Sequence, residues 1–362
     1  MAKLFVLPVL FISIHINAQL TTVQIEKHSI RILNQIPCSA VKDQYLSSTC
    51  WSFAGNSFFE SELIRNGKKN IDLSEMYSAR LAWIQKIQLH LKKNGLNCLT
   101  PGGQFHTIQW VMKEYGMVPE EVYNGKPAGE INHNHTNLDT AITRFVKKLV
   151  RQKKQSPDAS DWIYINSLLD RYLGKLPAIF IVQGQQYNPK TYMQQYLQLK
   201  PEDYVEITSY THHPYYKGFV LENEYNFSDD LYMNLPFNEF KAITDSALLQ
   251  GYTVLWNGDV SDEGFNFANG AAYIDNKSTD IVSARQSAFK DSTSYLDHVM
   301  HIVGLAKNEL GHTWYCVKNS WGVQNELEGY LLMDENYFAI KTTAIVVNRK
   351  AIPLPIQQKM PK

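Results

Sequence analysis

The sequence predicts an α+β fold, because helical periodicity dominates its first half and strand periodicity its last third. After Cys50 the apolar residues Trp51, Ala54 and Phe58 recur at the spacing of a helix buried along one side. From Tyr252 onward the apolar pattern shifts towards a period of two, with turn residues between the runs. Helices followed by antiparallel strands are the arrangement of the α+β class.

The first 18 residues have the composition of a signal peptide. Lys3 supplies the charge, 4–16 is apolar, and Asn17-Ala18 before Gln19 is a small-residue cleavage end. The apolar run is too short for a comfortable membrane span. We therefore expect an exported protein, periplasmic or secreted, with no membrane anchor after cleavage. The alternative is a buried N-terminal strand or helix.

Residues 19–124 are expected to form an N-terminal helical half. The first helix is predicted from Cys50 to about 66, and the second from Ser74, a favourable N-cap, to about 93. A turn at 100–103 then precedes a third helix that ends near Tyr115. Residues 125–200 are interpreted as a helical insertion, with helices at 138–155 and 161–173.

Residues 201–350 are expected to form a β-rich half, and 351–362 a C-terminal tail. The tail carries three prolines and is predicted to be extended. The strands of the β-rich half are predicted at 252–257, 298–304, 313–319, 329–333 and 342–348.

The composition excludes several classes of function. Lys plus Arg and Asp plus Glu both number 35 in the 362 residues, so the net charge is zero and no nucleic-acid partner is expected. Four cysteines are too few for a disulfide scaffold. If Cys50 must stay free, at most one bridge remains, and Cys38 with Cys98 is its candidate pair.

Cys50 occupies the first turn of a predicted helix. The positive end of the helix dipole lies there and favours thiolate over thiol. Gln44, six residues earlier, supplies a side-chain amide donor near that thiol. Taken alone, the segment is equally consistent with a small buried core cysteine.

A histidine and an asparagine in the last third provide partners for a reactive thiol. His298 enters one predicted strand, and Asn319 ends the next. On adjacent antiparallel strands the Asn319 amide oxygen would lie beside the His298 ring, and Trp321 would cover that hydrogen bond. His301 is the competing base, but its odd spacing from His298 points its ring to the other face.

Two histidine pairs raise the question of a metal site. They are His212-His213 and His133-x-His135. Adjacent histidines in a strand point apart, and neither pair has a cysteine or carboxylate set nearby in the sequence. The sequence therefore predicts no metal site and no cofactor.

Three motifs together resemble the papain superfamily of cysteine peptidases. They are Gln44 six residues before Cys50-Trp51, Asp297-His298 at a strand entrance, and Asn319-Ser320-Trp321-Gly322. A narrower resemblance, to the bleomycin hydrolase or aminopeptidase C branch, lies in the segments 102–104, 114–119, 199–204 and 211–216.

The resemblance implies a fold and a chemistry. The fold would pack a helical half on an antiparallel sheet or barrel half. Cys50 would be the nucleophile, His298 the general acid and base, and Asn319 the residue that orients His298. The Gln44 side chain and the Cys50 backbone N–H would form the oxyanion hole. The activity would release N-terminal residues from peptides through an acyl-enzyme.

The branch also implies a homo-oligomer, a hexamer, and a C-terminal tail that lies in the cleft and meets the amine of the substrate. The tail after Lys350 looks shorter than is usual in the branch, and Ser47 and Thr100 stand where secreted papain-like enzymes carry a disulfide. An open-cleft endopeptidase and a non-catalytic binding protein therefore remain alternatives. Acyl transfer of the transglutaminase type is a third, against which the asparagine-tryptophan motif argues.

Overall fold

The computed structural model describes residues 22–25, 28–127, 129–275, 278 and 280–361. The predicted signal peptide at 1–18 and the last residue of the predicted tail lie outside these ranges. Among the described residues, no helix combines the length and the apolar character that a membrane crossing requires.

The helices cluster in the first half of the chain and recur singly in the second. The first six are α1 Cys50–Arg65, α2 Glu75–Lys92, α3 Phe105–Glu114, α4 Thr136–Arg151, α5 Ala159–Leu173 and the short α6 Pro189–Thr191. The others are α7 Phe237–Leu249, α8 Ile281–Lys290, α9 Glu335–Lys341 and α10 Leu354–Gln357. Ser74 caps α2 as predicted, because its hydroxyl accepts a hydrogen bond from the Tyr77 N–H at 3.1 Å.

The strands form one large mixed sheet and a separate hairpin. The first seven are β1 Thr22–Ile25, β2 His28–Gln35, β3 Phe180–Val182, β4 Gln185–Tyr187, β5 Tyr204–Thr208, β6 Lys217–Val220 and β7 Leu231–Asn234. The others are β8 Val254–Gly258, β9 Phe265–Asn266, β10 Ala271–Ala272, β11 His298–Asn308, β12 Thr313–Lys318, β13 Tyr330–Asp334 and β14 Thr342–Asn348.

The sheet has the order β6-β7-β5-β14-β8-β11-β12-β13-β10-β9, and β2 joins it along β11. Most neighbouring strands are antiparallel, as predicted, but β5 with β7 and β10 with β13 are parallel. Within the described ranges the order runs from one free edge to the other, so the sheet does not close into a barrel.

The helical half packs on the sheet through α1. This helix contacts β11, α2 and α3. It approaches α3 closely at Gly55, where an added Cβ would lie 2.1 Å from Ile108 Cδ1. The start of α1 and the start of β11 thereby come together at one edge of the interface, which brings Cys50 close to the strand that begins at His298.

The predicted helices of the first half and the five predicted strands are confirmed, with shifts of a few residues at their ends. The β-rich half also contains α7, α8 and α9, which the prediction missed. The lead-in before 43 contains the β1–β2 hairpin, which was missed as well. α9 and β1 are short, and the buried residues of α8 are polar, so their apolar spacing carries little periodic signal. In α7, by contrast, Phe237, Phe240 and Ile243 are buried at helical spacing, so this helix was readable from the sequence.

The predicted extended tail is wrong for residues 351–361. This segment contains α10 and packs on the side of the sheet that α7 covers. Ile356 and Met360 are buried in the same apolar cluster as Phe240. Lys359 pairs with Glu239 at 2.5 Å. Burial of these apolar side chains holds the tail on the core, and no residue of 351–361 lines the cavity beside Cys50.

Candidate active site

A cavity of about 430 Å³ lies where α1 meets the sheet. Its lining includes Gln44, Cys50, His298 and Trp321, together with the 100–103 segment. Three segments far apart in the sequence thus meet at one cleft. Asn319 lies directly behind His298. The four residues that the sequence singles out are therefore brought together.

The His298 imidazole is held by Asn319. Its Nε2 lies 2.8 Å from the Asn319 Oδ1, an oxygen that also accepts the Ser320 N–H at 2.8 Å. Because an amide oxygen only accepts, Nε2 is the protonated nitrogen and Nδ1 carries the lone pair. The Trp321 ring covers the imidazole at a centroid distance of 4.7 Å and an angle of 36°. Only 3% of His298 is exposed.

Ser320 fixes the side chain of Gln44, a contact that sequence reasoning missed. The Ser320 hydroxyl donates to the Gln44 Oε1 at 2.8 Å, and the Gln44 N–H donates to the Ser320 carbonyl at 2.9 Å. With its oxygen engaged, the Gln44 amide keeps Nε2 as a free donor. The signal was present in the sequence, since Ser320 lies inside the Asn-Ser-Trp-Gly motif.

Burial opposes the effect of the helix on the thiol. Desolvation raises the pKa of Cys50 to about 11, although hydrogen bonds from the backbone N–H groups of Val299 and Trp51 lower it. Burial also lowers the pKa of His298 to about 4, against the effect of the Asn319 hydrogen bond. A Cys50 thiolate without a charged partner is therefore unfavourable, and so is a His298 imidazolium without one. A thiolate and an imidazolium form most easily together, by transfer of one proton from sulfur to the ring.

Asp297 is a further ionisable group on the cavity. Burial raises its pKa to about 6, while its carboxylate accepts the Val260 N–H at 2.9 Å. Its negative charge raises the pKa of Cys50. Below its pKa the carboxyl group is neutral, and that opposition to the thiolate disappears.

His301, the competing base, is separated from the cleft as its spacing predicted. It is fully buried, and its Nδ1 lies 2.9 Å from the Ser57 hydroxyl on the inner side of α1. Burial and the nearby charge of Lys318 place its pKa well below the usual value. His301 does not line the cavity that contains Cys50.

The prediction that His212 and His213 point apart and lack a nearby carboxylate is wrong. Their ring centroids are 4.5 Å apart. The Nε2 atoms of His212 and His213 lie 3.3 and 2.7 Å from the carboxylate of Glu222. The two residues follow β5 in a turn, where the alternation of a strand does not apply.

The tautomer of His212 nevertheless disfavours a metal ion at this cluster. The Gln286 Oε1 accepts the Thr211 N–H at 2.6 Å, so its Nε2 faces the His212 Nδ1 at 3.0 Å as a donor. The His212 proton therefore lies on Nε2, the nitrogen that a metal would need. The arrangement fits a histidine that donates to Glu222 better than a ligand set.

His133 and His135 are buried rather than placed at the surface. Their rings are 6.2 Å apart, and His133 packs edge-on against Phe53. Burial lowers their pKa values to about 3 and about 4. Both imidazoles are therefore neutral at physiological pH.

All four cysteines are free, so the proposed bridge between Cys38 and Cys98 is wrong. The Cys38 thiol lies 3.4 Å from the Tyr330 hydroxyl. Hydrogen bonds link Cys98 instead to Thr100 and Glu224, and burial raises the pKa of this thiol. Cys316 is a buried strand residue, as predicted.

Comparison with known proteins agrees with this fold. The chain is 23% identical to Aminopeptidase C of Listeria innocua over 364 residues, which cover 88% of this chain and 82% of that protein. It is 22% identical to the mitochondrial cysteine proteinase 1 of Saccharomyces cerevisiae over 397 residues, covering 95% and 82%. The crystal structure of pepw from Lactobacillus rhamnosis has a TM-score of 0.71 at 19% identity, covering 91% and 84%.

The fold and these relatives define a papain-like cysteine peptidase. The model of the Peptidase C1-like family matches residues 181–362, half of the chain, and the protein belongs to that family. The resemblance to the aminopeptidase C branch is thus confirmed.

Proposed function

We propose that the enzyme cleaves peptide bonds with Cys50 as nucleophile and His298 as its base. The observation that carries this proposal is the single cavity onto which Cys50, Gln44 and His298 open, with Asn319 bonded behind the imidazole. The His298 Nδ1 takes the thiol proton as the sulfur attacks the carbonyl carbon. His298 then returns the proton to the leaving amine, which leaves an acyl group on sulfur.

Asn319 and Gln44 have supporting roles in this proposal. Asn319 keeps the His298 tautomer and holds the ring in place, so the nitrogen that faces the thiol stays basic. The Gln44 Nε2 and the Cys50 backbone N–H donate to the oxyanion that develops during attack and during hydrolysis of the acyl group. Water activated by His298 then releases the acyl product.

The proposed substrates are peptides with a free N-terminus, from which single residues are released. Support comes from relatives that are themselves named aminopeptidases, at identities of 21–23%. In the aminopeptidase C branch, this preference is expected to come from a C-terminal tail that lies in the cleft. Residues 351–361 of this chain pack on the core instead and do not line the cavity beside Cys50.

The position of the tail favours a second candidate function. No described tail residue lines the cavity, so residues 351–361 do not block a peptide chain that passes Cys50. An endopeptidase with an open cleft needs this arrangement. A non-catalytic binding role has no such observation in its favour.

One experiment separates the candidates. A peptide with a free N-terminus and its acetylated twin are incubated with the wild-type protein and with Cys50→Ala. Stepwise release of N-terminal residues from the free peptide alone supports the aminopeptidase. Internal cleavage of both peptides supports the endopeptidase, and hydrolysis by Cys50→Ala contradicts the role of Cys50.

Export and assembly complete the proposal. The composition of 1–18 supports export, and the branch resemblance supports a homo-oligomer, with a hexamer as its expected size. Fractionation of cells that express the full chain tests the first, and light scattering of the purified protein tests the second. An uncleaved N-terminus would contradict export, and a monomer in solution would contradict the proposed homo-oligomer.

A further inference from the structure

Lys86, on α2, is a buried lysine that the proposed chemistry does not use. Only 2% of it is exposed. Its Nζ donates to the carbonyl oxygens of Pro101 and Gly102, at 2.9 and 2.5 Å. Pro101 and Gly102 belong to the 100–103 segment, which lines the cavity beside Cys50 and is called the cleft wall below. In the described part of the chain, Lys86 has no ion pair within 4 Å.

The surroundings of the Lys86 amine are mainly aromatic. Its Nζ lies 5.3, 5.5 and 5.4 Å from the ring centroids of Trp51, Trp83 and Phe227. Burial lowers its pKa to about 7, although the charges of Asp139, Cys98 and Cys50 raise it. Burying an amine is unfavourable unless its donors are satisfied. The Lys86 amine has at least two N–H groups whether it is charged or neutral, so either form can bond the Pro101 and Gly102 carbonyls.

The cleft wall presents bare backbone to the cavity. A Cβ on Gly102 would lie 2.5 Å from the Tyr225 ring, and one on Gly103 would lie 3.0 Å from the Trp51 ring. A side chain at Gly102 would force the Tyr225 ring to move, and one at Gly103 would press on the Trp51 ring. Within the ranges that the structure describes, no backbone hydrogen bond uses the N–H or the carbonyl of Gly103. Such unpaired groups can bond to an extended peptide as a neighbouring strand would.

The wall is also tied to the residue next to the nucleophile. The Trp51 Nε1 donates to the Pro101 carbonyl at 3.0 Å, so this oxygen accepts from both Trp51 and Lys86. Among the residues that the structure describes, Lys86 alone donates to the Gly102 carbonyl. Loss of the Lys86 donors would leave Pro101 anchored and would free the Gly102 peptide plane to rotate.

We propose that Lys86 is a positioning residue for peptide substrates. It fixes the Pro101 and Gly102 carbonyls so that the backbone groups of Gly103 face an extended peptide beside Cys50. Lys86 itself does not touch the substrate. The inference rests on the proposed peptidase function, because it concerns how that function binds its substrate.

The test compares Lys86→Met, which keeps the volume and removes the donors, with Lys86→Arg, which keeps donors. For a peptide that the wild-type enzyme cleaves, we expect Lys86→Met to raise KM about tenfold or more, with kcat changed less than about threefold. Lys86→Arg should recover most of the affinity. Iodoacetamide is too small to depend on binding to the cleft wall. The rate at which it alkylates Cys50 should therefore stay within about threefold of the wild-type rate in both variants.

An unchanged KM in folded Lys86→Met would overturn the inference. So would an equal loss of alkylation and hydrolysis, because Lys86 would then act on the thiol or on the fold as a whole. If Lys86→Met does not fold, Lys86→Gln tests the same step, because its shorter amide cannot replace both donors, and an unchanged KM in that variant contradicts the inference. Hydrolysis that persists in Cys50→Ala would instead overturn the proposed function.

Discussion

At Cys50, the proposed nucleophile, desolvation and hydrogen bonding act on the thiol in opposite directions. The start of α1 favours a thiolate, but burial raises the pKa of Cys50 to about 11 and lowers that of His298 to about 4. Position at a helix start is therefore not enough to activate this cysteine. In the proposed mechanism the proton moves to the imidazole that Asn319 holds, so the proposed reactivity belongs to the pair and not to Cys50 alone.

Ser320→Ala tests how the oxyanion donor is positioned. The Ser320 hydroxyl holds the Gln44 Oε1, and without it the amide can turn its Nε2 away from the cleft. We expect kcat to fall about tenfold, less than the 10²–10³ typical of losing an oxyanion donor outright, because Gln44 remains present. Steady-state kinetics on the peptide that the wild type cleaves provides the measurement.

Ser320→Thr, which keeps the hydroxyl, is the matched control and should stay near the wild-type rate. An unchanged kcat in Ser320→Ala would mean that Gln44 needs no help from Ser320.

At this scale the sequence predicted the residue types but not their contacts. His298 and Asn319 could be paired because His298 begins one strand and Asn319 directly follows the end of the next, antiparallel strand. The bond between Gln44 and Ser320 joins residues 276 positions apart and depends on how the two halves dock. Lys86 was missed because nothing in its own helix distinguishes it from a surface lysine.

At the scale of elements, the C-terminal tail is the largest departure from expectation. Three prolines suggested an extended strip, but α10 forms, and Ile356 within it and Met360 just after it are buried beside α7. Proline is compatible with the first turn of a helix, and the turn that follows α10 brings Met360 back to the apolar cluster that contains Ile356. The tail thus contributes to stability at a site away from the cleft.

Deletion of 352–362 should therefore lower stability without changing where peptides are cut. Loss of the buried Ile356 and Met360 should reduce the free energy of unfolding by about 2–4 kcal/mol. The ratio of cleavage rates for free and acetylated peptides should stay as in the wild type. Urea denaturation and the paired peptide assay measure the two effects.

Leu354→Ala is the control for this deletion, since Leu354 is 63% exposed and its loss should change stability by less than about 0.5 kcal/mol. A deletion variant that begins to cleave acetylated peptides would show instead that the tail restricts the cleft.

For the molecule as a whole, the packing of the insertion on the nucleophile region introduces buried histidines. The His135 N–H donates to the Leu46 carbonyl in the loop between Gln44 and Cys50, which ties the 125–200 region to the active cleft. His133 and His135 are neutral in the folded protein because burial lowers their pKa values. This coupling makes the stability of the fold sensitive to acid.

The direction in which stability changes with pH follows from the histidine pKa values in the folded and the unfolded protein. The pKa values are about 3 and about 4 in the folded protein, against the usual 6.5. Between pH 6.5 and 4 the unfolded chain binds protons that the folded chain does not, so the free energy of unfolding falls as the pH falls. Each histidine contributes about 1.4 kcal/mol per pH unit in that window.

Replacing both His133 and His135 with Gln should reduce this slope, as measured by urea denaturation at pH 7 and pH 5. His312→Gln is the matched control, because the side chain of His312 is 62% exposed. Parallel pH profiles for the wild type and the double variant would contradict the assignment.

The α+β class and the order of the main elements were predictable because α2 has a clear N-cap at Ser74 and the central strands are short runs rich in β-branched and aromatic residues bounded by turns. The order of the strands within the sheet was not predictable. Its order brings β2, β11 and β14 together from opposite ends of the chain, and such pairing depends on long-range packing that local patterns do not encode.

The most direct test of the central claim is to identify the acylated residue by mass spectrometry, with the reaction quenched during turnover of an activated peptide ester. We predict that the protein gains the mass of the acyl group, that peptide mapping places it on Cys50, and that Cys50→Ala shows neither adduct nor hydrolysis. An acyl group on Cys38, Cys98 or Cys316, or full hydrolysis by Cys50→Ala, would contradict the account.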